Sequence, residues 1–548
     1  MAATKAPEPS RAPQPPCERL SSLDAAFLYL EGPKQPLHVG AVAVLEGPVY
    51  FEALRDTLDA RLGGLHRYRQ RPVQPRLGLG APSWEDDPEF DPRRHFRRIT
   101  LRPPGGEAEL HRLVDSLFPI PLDSRHPLWE AYLIEGLAGG RSALLAKTHH
   151  CMIDGVSGAQ ILELMTDTAA LAAAPEPATQ SAPCAAPNGL LGQMPQRGPQ
   201  VADGARRGGL GSLRGALAAA ASPRLVLARA REAIEAAGVV AWLACEPIET
   251  LPFNGALGDA RRIVWASFAL ADFLAMRGAS GCKVNDVVLA VIAGALRRYL
   301  LAHGVAGERL RVRALVPVNV RCDHERLTLG NRVSAMFSAL PVDVADPTER
   351  LRRVALEMRT LKERRLPQAV ELVLAVAGAF PAPVAPLVTR LTANWPVVNT
   401  VCTNVPGPRE TRYLLGRRVL EIHPIVPIAV GLGLGFAILS YDGKLSICAT
   451  ADAGLVPDAE RVAEALVASA DELRAALGVA ADGPAARAGR PAVRDLMTCD
   501  VATVAPHDSL ATAWERMRHR RIRHLPVVNR DGRLVGLVTH RDLLAAVQ

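Results

Sequence analysis

The sequence predicts an α/β protein, two sandwich-like halves followed by a small α/β module, and three observations carry that reading. Short runs alternating apolar and polar residues are interleaved with stretches of 3.6-residue periodicity, the pattern of strands and helices packed in layers. A long stretch rich in Ala, Pro, Gln and Gly, from 172 to about 211, parts the two halves. A second Ala- and Gly-rich stretch, 479–491, precedes a tail of different character. At 548 residues the chain is too long for one ordinary core. The implied organisation is a disordered Pro- and Ala-rich tail over 1–17, an N-terminal half over 18–171, a linker and crossover helix over 172–254, a C-terminal half over 255–478, a linker over 479–491 and the module over 492–548.

In chain order, 23–30 is a short amphipathic segment and 38–45 alternates as a strand. Leu54, Leu58 and Leu62 share one face of a helix over 51–62, with Gly63-Gly64 as its stop. The basic stretch 67–76 contains prolines and reads as a solvated loop. A helix over 107–117 precedes strands over 128–134 and 142–148, and Ser157 is placed to cap a helix carrying Ile161, Leu162 and Met165. Beyond the linker, the Ala-rich segment 213–243 reads as a helix crossing between the halves, in preference to a helix lying on lipid.

A strand over 262–270 follows, then a helix over 285–300 that buries Val288, Leu289, Ile292, Ala295 and Leu296, with Asn285 and Asp286 suited to its cap. Pro427, Gly431, Gly433 and Gly435 interrupt the apolar run 424–439, which therefore reads as two buried strands and not as a membrane span. Asp442-Gly443 predicts a hairpin, and 457–477 a closing helix.

The densest chemistry lies in Thr148-His149-His150-Cys151-Met152-Ile153-Asp154-Gly155-Val156-Ser157-Gly158. Adjacent histidines do not have the three- or four-residue spacing of a helical zinc pair, and no cluster nearby supplies further ligands, so no metal is expected. Along a strand, alternation places His150 with Thr148 and Ala146 on one face and His149 with Lys147 and Leu145 on the other, so only one imidazole faces a given cavity. A neutral imidazole there is a competent general base, and Gly155 lets the chain turn. Cys151 points away from His150, so no covalent cysteine mechanism is expected.

Composition narrows the partners. Hydrophobic residues at 49% and charged residues at 22% describe a globular chain. Nine scattered cysteines, no CxxC pair and no secretory signal place it in a reducing, cytoplasmic compartment. A net charge of +8 and a pI near 9.2 favour anionic partners, either the phosphates of CoA or a phospholipid surface at the inner membrane or on lipid inclusions. Nucleic acid is not expected, because no recognition motif accompanies the charge.

The string HHxxxDG resembles the signature of the CoA-dependent acyltransferase superfamily, which includes chloramphenicol acetyltransferases and peptide-synthetase condensation domains. Leu20-Ser21-Ser22-Leu23-Asp24-Ala25-Ala26-Phe27, Pro36-Leu37-His38-Val39-Gly40, Pro127-Leu128-Trp129-Glu130, Val284-Asn285-Asp286-Val287, Pro317-Val318-Asn319-Val320-Arg321, Gly330-Asn331 and Thr403-Asn404-Val405-Pro406-Gly407-Pro408 follow in the order of the bacterial wax ester synthase/diacylglycerol acyltransferase family. This resemblance, over roughly 18–478, implies two chloramphenicol-acetyltransferase-like subdomains with the active site at their interface. It also implies transfer of a long-chain acyl group from acyl-CoA to diacylglycerol or a fatty alcohol.

In that reading His150 is the base, and His149, Asp154 and Gly155 shape the segment around it. Asn285, Asp286 and Asn404 lie near substrate, and Asp154 forms a buried ion pair with Arg321, or failing that Arg332. Acyl-CoA enters as substrate and no cofactor is expected. The apolar stretch 431–436 departs from the polar pattern of many members, which bears on acceptor choice. Two other readings keep the fold: a condensation-type transferase using a carrier-bound donor, and a non-catalytic nucleotide-sensing protein of lipid droplets.

The tail resembles a single CBS motif through Val493-Arg494-Asp495-Leu496-Met497, the helix of Leu510, Trp514 and Met517, Leu525-Pro526-Val527-Val528, the Asp531-Gly532 hairpin and 536–542. By that resemblance Thr539 and Asp542 would contact an adenosine nucleotide, and the pairing face of a lone motif would be met by a second subunit in a homodimer.

Overall fold

The computed structural model describes residues 18–74, 82–153, 155–170, 248–305, 310–319, 333–363, 397–480, 502–520, 524–529 and 533–539. Expectations at Asp154, Arg321, Asn331, Arg332 and Asp542, and over 1–17 and 213–243, fall outside them. The chain divides into two compact units, 1–481 and 482–548.

The larger unit is built on two mixed six-stranded sheets. The first contains β2 (His38–Leu45), β5 (Phe96–Thr100), β6 (Trp129–Leu137), β7 (Arg141–His149), β12 (Tyr413–Leu414) and β13 (Arg417–Ile425), in the order β12-β13-β2-β7-β6-β5. The second contains β8 (Arg261–Ala269), β9 (Val312–Asn319), β10 (Val333–Leu340), β11 (Thr400–Pro406), β14 (Leu434–Tyr441) and β15 (Lys444–Asp452), in the order β10-β9-β11-β14-β15-β8. The run 424–439 does contribute to two strands, but they enter different sheets. β13, late in the sequence, joins the sheet of the N-terminal half by pairing with β2, so the halves are interleaved and not merely abutted.

The described part of the stretch 67–76, residues 67–74, differs from its reading as a solvated loop. β3 (Gln70–Val73) pairs with β4 (Ser83–Asp86), which also pairs with β1 (Glu18–Arg19), and the Arg67 guanidinium lies over the Trp84 ring at 4.2 Å. A long stem laid along an indole hides its methylenes and leaves its charge attracted to the ring face, which sequence patterning alone reads as solvation.

The first sheet is covered on both faces. Ala43, Leu45, Leu133 and Trp129 pack on one side, while Val42, Val44, Leu145 and Ile134 pack on the other with Leu110 and Val114 of the helix Glu107–Leu117. Trp265 and Ile263 of β8 join that second core, so the same helix is wedged between the sheets. In the second sheet the helix Val284–Ala302 is buried from Val287 to Leu296 and again at Tyr299 and Leu300, between the strands and the helices Pro347–Glu363 and Glu460–Ala476. The ten-residue run Val287–Leu296, apolar all round, belongs in such an interior, while Arg298 beyond it is exposed. Among the described residues no single helix is long and apolar enough to cross a membrane.

The hairpin at 442–443 forms as the sequence predicts, with Asp442 at φ 44° and Gly443 at φ 77° joining β14 to β15. In the second unit, Ala513 and Met517 of the helix Leu510–Arg520 pack on Leu525 of β16 (His524–Val528), which pairs with β17 (Leu534–Thr539).

Candidate active site

Three separated signatures meet at one end of the first sheet. His149 closes β7; its N–H donates to the Leu128 carbonyl at 2.9 Å, and the N–H of His150 donates to the Leu37 carbonyl at 2.8 Å. The stretches Pro127-Leu128-Trp129 and Pro36-Leu37-His38 therefore grip the paired histidines from both sides. His38 and Trp129 stand opposite His149 and Thr148 in the ladders. Beyond His150 the chain turns, with Met152 N–H returning to the His149 carbonyl at 3.0 Å.

The alternation expected of the two imidazoles is what the structure has. His149 is fully buried, while His150 is half-buried. His149 Nδ1 accepts the Cys151 N–H at 3.1 Å, which assigns the proton of the neutral ring to Nε2, and Nε2 lies 3.3 Å from Glu31 Oε1. His38, also fully buried, brings its Nε2 to 3.5 Å from the same oxygen, and the Leu37 N–H donates to it at 3.3 Å.

Burial pushes the Glu31 carboxyl up, but the two imidazoles outweigh that and hold it well below the usual carboxylate range. Burial lowers the basicity of His38, opposed by Glu31 and aided by the nearby Lys147 charge. Glu31 was not among the residues singled out from sequence. It follows Asp24 and Phe27 at helical spacing, but that spacing alone does not mark it as a partner of the histidines.

Lys147 shares the buried face of His149, donating to the carbonyls of Ile120 at 2.7 Å and Leu117 at 3.3 Å, with Glu130 3.4 Å away. Gly40 is required here, because a Cβ there would clash with the Ala146 carbonyl oxygen and lie 2.8 Å from Phe118 Cε2.

His150 presents its ring to Phe27 of the helix Ser22–Leu30, stacked at 4.1 Å between centroids and 8° from parallel. Cys151 is buried, and burial with the Asp24 and Glu31 charges raises its thiol well above the ordinary value. A thiol held neutral and enclosed is a poor nucleophile, in line with a non-covalent reaction.

The helix Gly155–Met165 leaves the histidine turn and packs against β11, the strand that carries Asn404. It begins two residues before the expected cap, so Ser157 is a buried residue of its first turn. Asn404 Nδ2 donates to Asn285 Oδ1 at 3.0 Å, uniting two residues 119 positions apart. Asn285 thus faces β11 and does not cap its helix. Lys283 occupies the cap position, and Asp286 reaches back to accept the Lys283 N–H at 3.0 Å. Asp286 is buried and completes a capping box at the start of the helix.

The expected ion pair of Asp154 with Arg321 lies outside the described residues. A different buried pair lies within the second sheet, where Arg261 of β8 stands opposite Asp452 of β15 with Nη1 3.0 Å from Oδ2, both nearly enclosed. Arg261 then crosses to the other half by donating to the Lys34 carbonyl in the loop before β2. Gln35 adds a second tie, its Oε1 accepting the Val430 N–H at 2.8 Å while its Nε2 donates to the Leu30 carbonyl at 3.1 Å.

Comparison with known proteins places this geometry. Residues 20–288 match the model of the wax ester synthase/diacylglycerol acyltransferase catalytic domain, 329–474 that of the WS/DGAT C-terminal domain, and 493–548 a CBS domain. The chain is 35% identical to the probable diacylglycerol O-acyltransferase tgs1 of Mycobacterium tuberculosis over 452 residues, which is 82% of this chain and 94% of that protein. The chain belongs to the wax ester synthase/diacylglycerol acyltransferase family.

As a member of that family it is an acyltransferase. A putative diacylglycerol O-acyltransferase of Mycobacterium bovis is equally similar, at 35% identity over 82% of this chain and 94% of that one. The wax ester synthase/diacylglycerol acyltransferase of Marinobacter aquaeolei VT8 shares the fold, with a TM-score of 0.60 and 24% identity over 84% of this chain and all of that one. A starter condensation domain of rhizomide synthetase, solved with C8-CoA and Leu-SNAC, shares it at a TM-score of 0.53 and 14% identity over 84% of this chain and 94% of that one. The two-subdomain transferase fold expected from the histidine motif is thus the fold of this family. In its sequence order, the acyltransferase unit of the chain is followed by the CBS motif.

Proposed function

We propose that the protein transfers a long-chain acyl group from acyl-CoA to the hydroxyl of diacylglycerol or a fatty alcohol, giving triacylglycerol or wax ester, with His150 as general base. The observation that carries this is the asymmetry of the two imidazoles: His149 is enclosed and committed to Cys151 and Glu31, whereas His150 is half-buried at the strand end. His150 takes the hydroxyl proton as the oxygen attacks the thioester carbon. The carbon–sulfur bond then breaks, and the proton passes to the departing CoA thiolate. Ester and free CoA are the products, and no acyl-enzyme is formed.

One positioned base contributes roughly 10²–10⁴ in rate, so His150→Ala should lose about that much turnover while remaining folded. Labelled palmitoyl-CoA offered with hexadecanol or diolein, with products separated by thin-layer chromatography, tests both the base and the acceptor. Near-normal turnover by the variant removes His150 from the role. Failure of the wild-type chain to use free palmitoyl-CoA favours a carrier-bound donor instead.

For the CBS motif, adenosine-nucleotide contact at Thr539 and Asp542 and pairing with a second subunit belong to the same proposal. Support for pairing comes from β17, where Leu534, Val535 and Leu537 are 68%, 55% and 56% exposed. Attachment at a membrane or lipid-droplet surface, suggested by the net charge of +8, is likewise part of the proposal.

A further inference from the structure

The geometry points to Phe27 as a positioning residue for the His150 imidazole, a role that rests on His150 being the base. The helix Ser22–Leu30 lays three groups over the end of β7 at i, i+3 and i+7. Asp24 is close enough for its charge to raise the Cys151 thiol, Phe27 stacks on His150, and Glu31, at the helix C-cap, faces His149 and His38. Residues so spaced share one face of a helix, so a single element stacks on His150, faces His149 and sets a charge near Cys151.

The helix is itself fixed at both ends. Ser21 Oγ accepts the Asp24 N–H at 3.1 Å, and the Glu31 N–H returns to the Phe27 carbonyl at 3.1 Å. Gln35 then ties its last turn, through the Leu30 carbonyl, to Val430 of the C-terminal half.

An imidazole attached to Cβ has one soft motion that matters to a base, rotation of its plane about the Cβ–Cγ bond. A phenyl face stacked 4.1 Å away and 8° from parallel opposes that rotation, because turning the ring drives its edge into the phenyl carbons. Phe27 is partly buried and packs against the neighbouring core, so the face is itself held. An aliphatic side chain of similar volume would cover the imidazole without presenting a plane. The nitrogen that takes the proton is therefore held on its line to the hydroxyl by Phe27, which itself neither gives nor takes a proton.

The test is a double-mutant cycle on the full-length chain, read with labelled palmitoyl-CoA and hexadecanol or diolein. Phe27→Leu should lower kcat by about tenfold with KM for both substrates changed less than about twofold, and Phe27→Tyr, which keeps the ring, should restore kcat to within about twofold. In a His150→Ala background, Phe27→Leu should cost nothing further, since there is no ring left to orient. Phe27→Met serves in place of the leucine variant should that one not fold, as judged by circular dichroism and thermal unfolding.

Wild-type kcat in Phe27→Leu while His150→Ala is impaired overturns the positioning role alone. The same loss in both backgrounds overturns it too, because it assigns Phe27 to packing. Near-normal turnover in His150→Ala overturns the base and this inference together.

Discussion

Glu31 serves two imidazoles with one carboxylate, and its charge state makes the arrangement pH-dependent. Its carboxyl is held below the ordinary value of 4.5, so the stability it contributes is present above that pH and is lost as pH falls below it. Glu31→Gln should therefore flatten the acid side of a thermal-unfolding series run from pH 6 to pH 3. The same variant should lower kcat, by less than His150→Ala does, because the His149 N–H then meets a neutral acceptor. An unchanged acid limb would show that the carboxylate does not engage the histidines. His150 and His149 could be told apart from sequence by strand alternation alone. Glu31 could not, because its partners, His38 and His149, are far from it or from each other along the chain and become neighbours only when β2 and β7 pair.

Among the elements, the helix Glu107–Leu117 shows best how the sheets are held. Asp115 accepts the Ile263 N–H at 2.6 Å and lies 3.6 Å from Arg262, both at the start of β8. Burial pushes its carboxyl up to about 6 despite those two contacts. A group raised in this way favours the folded state while it keeps its proton. Its contribution is full below the ordinary value of 3.8 and is gone once pH has risen through about 6. Asp115→Asn imitates the protonated form, and should remove the part of the fall in thermal stability that the wild type shows between those two pH values. A wild-type profile flat over that window would contradict it.

The elements that the sequence delineated well are those decided by local signals, such as the Asp442-Gly443 hairpin and the periodic helix 51–62. Those it misplaced were decided by partners. In Val284–Ala302 the cap position falls to Lys283, with Asp286 completing the box while Asn285 bonds Asn404, and 70–73 becomes a strand because β4 lies beside it.

For the whole molecule, the second unit is the part with a separable prediction. Deleting 482–548 should leave transfer by the first unit, which has its own cores, and should abolish self-association and any response of turnover to AMP or ATP. Sedimentation and acyl-transfer assays with and without nucleotide check this. Unchanged oligomer size and kinetics would reject a regulatory module.

By itself the sequence determined the family, the histidine that faces outward and the order of most elements, because motif spacing, alternation and turn chemistry act within a few residues. Tertiary structure alone decided that β13 crosses into the first sheet, that Arg261 with Lys34 and Gln35 with Val430 close the seam, and that one short helix lies against the histidine turn. Each of these joins groups many residues apart, and a contact of that kind is set by which surfaces bury each other, a property that no local pattern encodes.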